Sequence, residues 1–160
     1  MISKITGKVS AVTGNRVTVE MDGVGYDVYV PTSLSNAILA RKGESVTFYT
    51  YHYLQGGPGA SNAIPVLIGF EREVDREFFE RFITVAGIGP KAAVKAFAVP
   101  TSRIAEAIEN EDMATLTGLP GIGRQRAGEI IAKLKGKVYK YALVRDEERP
   151  MVAAVSGTVE

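Results

Sequence analysis

Two Gly-Ile-Gly turns, at residues 87–89 and 121–123, carry the residue types most able to bind a phosphate group. Glycine permits a positive φ and leaves no Cβ to hinder a close approach. A helix that begins directly after such a turn presents unpaired backbone N–H groups and the positive end of its dipole. Each turn therefore predicts a small anion site whose natural ligand is a phosphate oxygen.

The two turns belong to an internal repeat of about twenty residues, offset by 34 positions. Apolar residues recur in the same register around each turn: Phe82 with Leu116, Ile88 with Ile122, Ala93 with Ala127, and Phe97 with Ile131. A single copy would be explained equally well by an ordinary αα-hairpin. Two copies, each followed by basic residues that can reach a neighbouring phosphate, favour phosphate binding. Those cations are Lys91, Lys95, Arg124 and Arg126.

Nucleotide-binding motifs do not fit these turns. A dinucleotide fingerprint needs a third glycine where this chain has Arg126, and no strand is predicted before the turn. A P-loop needs Lys-Ser/Thr after its last glycine, and Gly123 is followed by Arg124-Gln125. The sequence therefore predicts no nucleotide hydrolysis.

Composition limits which classes of protein and of functional site remain possible. The chain of 160 residues is 46% hydrophobic, which suits one large or two small globular domains. It has no cysteine and one histidine, His52, so no disulfide, metal or cofactor site is predicted. No signal peptide or membrane span is evident, which predicts a cytoplasmic protein. A net charge of +1 argues mildly against nucleic-acid binding, but Glu129 is the only acid within 113–137.

Residues 1–70 read as an all-β region. A stripe of alternating tyrosines, Tyr49, Tyr51 and Tyr53, could stack bases, although a half-buried strand face is the favoured interpretation. Gly7 predicts a bulge or a bend in the first strand. Five short strands and one helix are typical of an antiparallel oligonucleotide-binding (OB) barrel. The strands are predicted at 2–12, 16–21, 26–30, 45–54 and 64–70, with the helix at about 31–39.

Residues 71–136 switch to helical periodicity. Five helices there form two helix–hairpin–helix units with one connecting helix, predicted at 71–85, 91–99, 103–110, 112–117 and 125–135. Residues 137–160 lose the pattern and are predicted to be a linker or tail, in which 137–144 could extend the last helix or add a strand. The fold class is therefore α+β, with an all-β region followed by an all-α region.

This order of domains resembles the RuvA family, whose members bind Holliday junctions. The matching residues include Gly23-Val24-Gly25-Tyr26-Asp27-Val28, Gly69-Phe70 before a helix with Phe78-Phe79, and the two hairpin sequences. The resemblance covers roughly residues 1–136. It implies a non-enzymatic homotetramer, or an octamer, that holds a four-way DNA junction open and square for recombination, DNA-damage repair and the SOS response.

The resemblance also implies partners and site residues. Its partners are a hexameric motor ATPase of the RuvB type and a resolvase of the RuvC type. Each subunit's two hairpins would hold the phosphates of one junction arm, without reading bases. The residues in these DNA-binding positions are Gly87, Gly89, Lys91, Lys95, Gly121, Gly123, Arg124, Gln125 and Arg126.

The chain departs from the family pattern in two places. The family commonly has adjacent acidic residues at the junction centre, between the fourth and fifth strands. This chain instead has a neutral, glycine-rich loop of Gln55, Gly56, Gly57, Pro58 and Gly59. The family also has a third, motor-contacting helical domain, which residues 137–160 are not expected to form.

Three other functions compete with junction binding. A helix–hairpin–helix glycosylase or lyase would need a carboxylate near the hairpin, and the nearest acid downstream of the tyrosine at 141 is Asp146. A general binder of single-stranded or duplex DNA would show no preference for branched DNA. An oligomerisation module would use the glycine turns for packing alone.

Overall fold

The computed structural model describes residues 1–57, 59–85 and 87–144, and these contain five strands followed by a helical region. The elements in chain order are β1 (Lys4–Thr13), β2 (Arg16–Met21), β3 (Val24–Tyr29), α1 (Thr32–Leu39), β4 (Ser45–Gln55), β5 (Ile64–Phe70), α2 (Glu73–Phe82), α3 (Pro90–Ala96), α4 (Thr101–Glu109), α5 (Met113–Thr117), α6 (Arg124–Leu134) and α7 (Tyr139–Ala142).

The five strands close into a barrel in the order β1-β2-β3-β5-β4, and β4 pairs back onto β1. Alternation along each strand directs one set of side chains inward, where Val17, Val19, Val28 and Phe48 are fully buried. The predicted barrel is confirmed, with one correction: β3 and β5 pair in parallel rather than antiparallel. A parallel neighbour is possible because α1 and β4 separate these two strands in the chain.

Of the bulge or bend that the sequence predicts at Gly7, the bulge does not lie there. The irregular register of β1 lies between Val9 and Ala11 instead. Gly7 is required for a different reason, since a Cβ at this position would lie 2.6 Å from the carbonyl oxygen of Glu20. The glycine thus permits a close approach of β2 to β1 rather than an extra residue in the ladder.

Strand β5 joins the barrel to the helices because both of its faces are buried. Leu67 faces the barrel interior, whereas Ile68 and Phe70 belong to the apolar cluster of the helices. Phe70 lies 5.0 Å from Phe79 of α2, measured between ring centroids. Burial of such aromatic rings contributes several kcal/mol each, so α2 is held firmly against the sheet.

The tyrosine stripe of β4 packs against this same junction. Tyr51 lies edge-on to Phe79, at 5.8 Å, and stacks on Tyr53 at 5.7 Å. Burial, followed by the proximity of Tyr51 and Tyr29, raises the pKa of the Tyr53 hydroxyl above its usual value. The favoured interpretation of a half-buried strand face therefore agrees with the packing of Tyr51 and Tyr53.

The packed helical region extends past residue 136, where the sequence predicts a linker. Val138 and Tyr141 are fully buried in the helical cluster. The Tyr141 hydroxyl accepts a hydrogen bond from Arg81 Nε at 2.9 Å. The sequence left open an extension of the last helix or a strand over 137–144, and the structure instead has a separate short helix, α7, because four residues are too few to show periodicity. The remainder of the predicted tail, 145–160, lies outside the described residues.

Candidate nucleic-acid interface

The two Gly-Ile-Gly turns adopt the same backbone conformation. Gly87 has φ +81° and Gly121 has φ +79°, in the left-handed region that favours glycine. In each turn the N–H of the central isoleucine donates to the carbonyl three residues earlier, at 3.2 Å for Ile88 and 3.1 Å for Ile122. Local sequence alone therefore produces the same turn twice.

The isoleucine of each turn fixes that turn to the core. Ile88 and Ile122 are buried, as are Ala93 and Ala127 one turn into the following helices. These four residues belong to the single helical cluster. The glycines on either side consequently face outward on a turn whose position is set by buried apolar contacts.

Both turns lead directly into a helix whose first turn is open. Gly89 and Gly123 have extended backbone and are the N-cap residues of α3 and α6, and neither helix receives a side-chain cap. Pro90 occupies the first helical position, where its missing N–H costs little. A Cβ built on Gly89 or Gly123 would meet no atom within 4 Å. Space therefore exists for an anion to approach the backbone N–H groups directly.

Each hairpin borders a surface depression lined by its predicted cations. The depression at the second hairpin, of about 340 Å³, is lined by Gly121, Gly123, Arg124, Gln125, Arg126 and Glu129. The depression at the first hairpin, of about 410 Å³, is lined by Tyr29, Lys91, Ala92, Val94 and Lys95. All nine residues predicted for DNA binding thus lie on the two hairpins: seven line a depression, and Gly87 and Gly89 are exposed in the first turn.

The barrel contributes one residue to this surface that the sequence analysis missed. Lys91 Nζ lies 5.0 Å from the ring centroid of Tyr29, a cation–π contact between α3 and the end of β3. Nearby, the Ser33 N–H donates to the Phe97 carbonyl at 3.0 Å. No sequence signal could have paired residues so far apart in the chain, because the contact depends on how the barrel meets the helices.

The second hairpin holds a charge pair inside its depression. Arg126 Nη1 lies 3.8 Å from Glu129 Oε2, one helical turn away. Gln125 Nε2 donates to the other Glu129 oxygen at 3.3 Å. The guanidinium of Arg126 also lies against Gly87 of the first hairpin. One carboxylate therefore orients two of the predicted DNA-binding side chains.

A larger depression, of about 470 Å³, lies on the barrel at β1 and β4 and is a weaker candidate for DNA. Its Arg41 pairs with Glu44 at 3.3 Å and with Glu71 at 3.5 Å. These carboxylates offset the Arg41 charge and leave Lys4 as the unneutralised cation of this lining, whereas two cations line the depression at each hairpin.

The glycine-rich loop connects β4 to β5, where the sequence places it. Gly56, Gly57 and Gly59 all have positive φ, and Pro58 lies outside the described residues. Leu54 and Ile64, at the ends of the two strands, are half exposed or more. The loop is uncharged, so its surface differs chemically from that of the hairpins. Earlier on β4, His52 Nδ1 accepts a hydrogen bond from the Ile2 N–H at 3.1 Å.

The described residues offer neither a membrane span nor a metal site. None of the described helices is long and apolar enough to cross a bilayer. Among the same residues, no group of three or more histidine, cysteine, aspartate or glutamate side chains is placed to hold a metal ion.

A closed five-stranded barrel followed by two glycine-turn hairpins defines a tandem helix–hairpin–helix protein on an OB-type barrel. Residues 1–56 match the family model described as RuvA N terminal domain. Residues 79–136 match the family model described as SAM-like helix-hairpin-helix tandem.

Several curated relatives match most of the chain. The chain is 42% identical over 143 residues to the Holliday junction branch migration complex subunit RuvA of Desulfatibacillum aliphaticivorans, covering 89% of this chain and 68% of that relative. It is 36% identical over 160 residues to the subunit of the same name from Desulfosudis oleivorans, covering 99% and 76%. The corresponding Bacillus cytotoxicus protein is 33% identical over 156 residues, covering 93% and 72%. The chain belongs to the RuvA family.

Proposed function

We propose that this chain binds four-way DNA junctions as the non-catalytic, DNA-binding subunit of a branch migration complex. The relatives that share its two domains are named for that role. The observation that carries the proposal is the repeated turn: two open helix N-termini, each beside an exposed glycine, stand on one rigid core. This geometry suits phosphate contacts, which position DNA without reading its sequence.

Each hairpin would bind phosphates of the same junction arm. The turn glycines leave space for the DNA backbone to approach, and the cations at 91, 95, 124 and 126 supply positive charge. Lys91 is held by Tyr29, and Arg126 is held by Glu129, so both cations are partly ordered before DNA arrives. Ordering of this kind lowers the entropic cost of binding.

The assembly belongs to the same proposal. Four copies would present a fourfold-symmetric set of hairpin pairs to the four arms, with two such tetramers enclosing the junction as an alternative. A RuvB-type motor would supply the ATP hydrolysis, and a RuvC-type resolvase would act on the same junction. A cytoplasmic location fits this role.

The uncharged β4–β5 loop would sit at the junction centre as a neutral plug. Its glycines and the exposed Leu54 and Ile64 offer no charge to repel phosphates. Replacing Gly56 and Gly57 by Asp is therefore expected to alter the rate of junction unwinding by the motor, with the oligomer unchanged. An unaltered rate would count against the plug.

A gel-shift titration tests the proposal, using a synthetic four-way junction and a duplex of equal length at two salt concentrations. Preference for the junction at both salts is the expected result, with each affinity falling as salt rises. Equal affinity for the two DNAs would instead indicate a general, non-sequence-specific helix–hairpin–helix binder. Absence of binding by an intact oligomer would indicate an oligomerisation module.

A matched pair of glycine variants locates the contact. Gly123→Ala adds a methyl group in open space at the predicted phosphate site, with no backbone strain. Gly128→Ala adds the same methyl group on the exposed side of α6, where alanine favours the helix. We expect Gly123→Ala to weaken junction binding and Gly128→Ala to leave it intact. Equal affinities for the two variants would contradict a backbone contact at Gly123.

A further inference from the structure

The side chain of Arg126 joins the two hairpins. It stems from the first turn of α6, yet its guanidinium lies against the Gly87 backbone of the other turn. A Cβ built on Gly87 would lie 3.0 Å from Arg126 Cζ and 3.1 Å from Nη2. Glycine is therefore favoured at position 87 for two reasons: its φ is positive, and the missing Cβ leaves space for this guanidinium.

Glu129 holds the guanidinium from within the second hairpin. Its Oε2 lies 3.8 Å from Arg126 Nη1, and its Oε1 accepts from Gln125. The Arg126 side chain is 35% exposed, so it is shielded on one side and open on the other. Contacts with two elements restrict the rotamers of a side chain that would otherwise be mobile.

The contact is not a consequence of the repeat, because only one copy makes it. At the offset of 34, Gly121 corresponds to Gly87, and a Cβ on Gly121 would meet nothing within 4 Å. Ala92 corresponds to Arg126, and Lys95 corresponds to Glu129. The second copy thus carries a long, charged connector that the first copy lacks.

We infer that Arg126 is a positioning residue that, above the shared core, further restrains the spacing between the two phosphate sites by contacting Gly87 and Glu129. The inference rests on the proposed function, since spacing matters only if both turns bind one DNA arm. Two rigidly spaced sites bind a rigid ligand better than two loosely linked ones. A planar guanidinium can contact both hairpins at once, which an ammonium group cannot reproduce.

A distance measurement without DNA tests the positioning directly. The chain has no cysteine, so Ala92→Cys and Ala132→Cys, both exposed, place one spin label on each hairpin. Labelled protein is diluted with unlabelled protein to suppress distances between subunits. We expect a narrow distribution for the parent chain and a broadened or shifted one for Arg126→Lys and Arg126→Met. Arg124→Met, which removes an equal charge, should leave it narrow. An unchanged distribution in both Arg126 variants would overturn the inference.

Junction affinity provides the second readout. If Arg126 served only as a phosphate-binding charge, Arg126→Lys would bind the junction like the parent chain and keep its salt dependence. Positioning predicts that Arg126→Lys loses affinity roughly tenfold, as Arg126→Met does. Parent-like affinity of Arg126→Lys would overturn the inference. Absence of junction preference in the parent chain would instead refute the proposed function, whereas the label distances would still decide the positioning role.

Discussion

The two hairpins share a backbone and a core but differ in everything that faces outward. Each has a left-handed glycine, a buried isoleucine and a helix that begins without a side-chain cap. The first hairpin lies beside the barrel, where Tyr29 covers Lys91. The second lies open and carries its own carboxylate, Glu129, between Gln125 and Arg126.

This difference shows that the buried part of each hairpin and its outward side chains meet different requirements. The turn and its buried residues satisfy local backbone geometry and packing, which are the same problem in both copies. The outward side chains face different surroundings, so each copy orients its cations by a different contact. A cation–π contact with the barrel serves the first hairpin, and an ion pair within α6 serves the second.

The largest effects should come from the buried isoleucines. We expect Ile88→Ala and Ile122→Ala each to lower the free energy of unfolding by about 2–5 kcal/mol, because each leaves a cavity under its turn. The two losses should agree within about 1 kcal/mol. Urea unfolding at one protein concentration measures them. A clear inequality would show that the two cores are not equivalent despite their matching burial.

The turn glycines should have smaller, matched effects. Gly87→Ala and Gly121→Ala place an alanine at positive φ, which costs roughly 1–2 kcal/mol of stability in each case. The added Cβ at Gly87 meets only the end of a flexible arginine, which can move aside. Thermal unfolding should therefore shift similarly for the two variants. A much larger loss of stability in Gly87→Ala would show that the Arg126 side chain cannot move away from Gly87.

The contact between Tyr29 and Lys91 should affect only the first hairpin. Tyr29→Leu removes the ring under the Lys91 ammonium and should weaken junction binding by about 0.5–1 kcal/mol. Tyr29→Phe retains the ring face and serves as the control. In an Arg124→Met background, Tyr29→Leu should cause the same loss of junction affinity, because Arg124 lies on the other hairpin. If Tyr29→Phe lost as much junction affinity as Tyr29→Leu, the cation–π contact would be excluded as the cause.

The smallest effects should appear as acid sensitivity, with a different origin in each hairpin. In the first hairpin, the hydrogen bond from Lys140 and then that from Tyr141 lower the pKa of Glu77. In the second, the Thr115 hydroxyl and then the Thr115 N–H lower the pKa of Asp112, the N-cap of α5. A lowered folded-state pKa gives stability that is present above the unfolded pKa and lost as pH falls through the folded pKa.

Stability measured against pH on the acid side therefore tests both carboxylates. Glu77→Gln and Asp112→Asn should each flatten the loss of stability as pH falls below the ordinary carboxyl range. Asn retains an N-cap oxygen, so Asp112→Asn should change the pH dependence more than the stability at neutral pH. A profile identical to that of the parent chain in both variants would contradict these assignments.

The sequence by itself determined the turns, the helix starts after them and the approximate bounds of the strands. These features depend on local rules: glycine at positive φ, proline at the first helical position and alternation along β2 and β4. The nine residues proposed for DNA binding were predicted on the same local grounds, since each lies within a few positions of a turn.

Only the tertiary structure decided how those parts meet. The parallel pairing of β3 with β5, the return of Tyr141 to the helical core and the contact of Tyr29 with Lys91 all join distant parts of the chain. The contact of the Arg126 guanidinium with Gly87 likewise joins distant parts of the chain. Such contacts are set by the shape of packed surfaces rather than by any local preference, and a pattern in the sequence does not encode them one at a time.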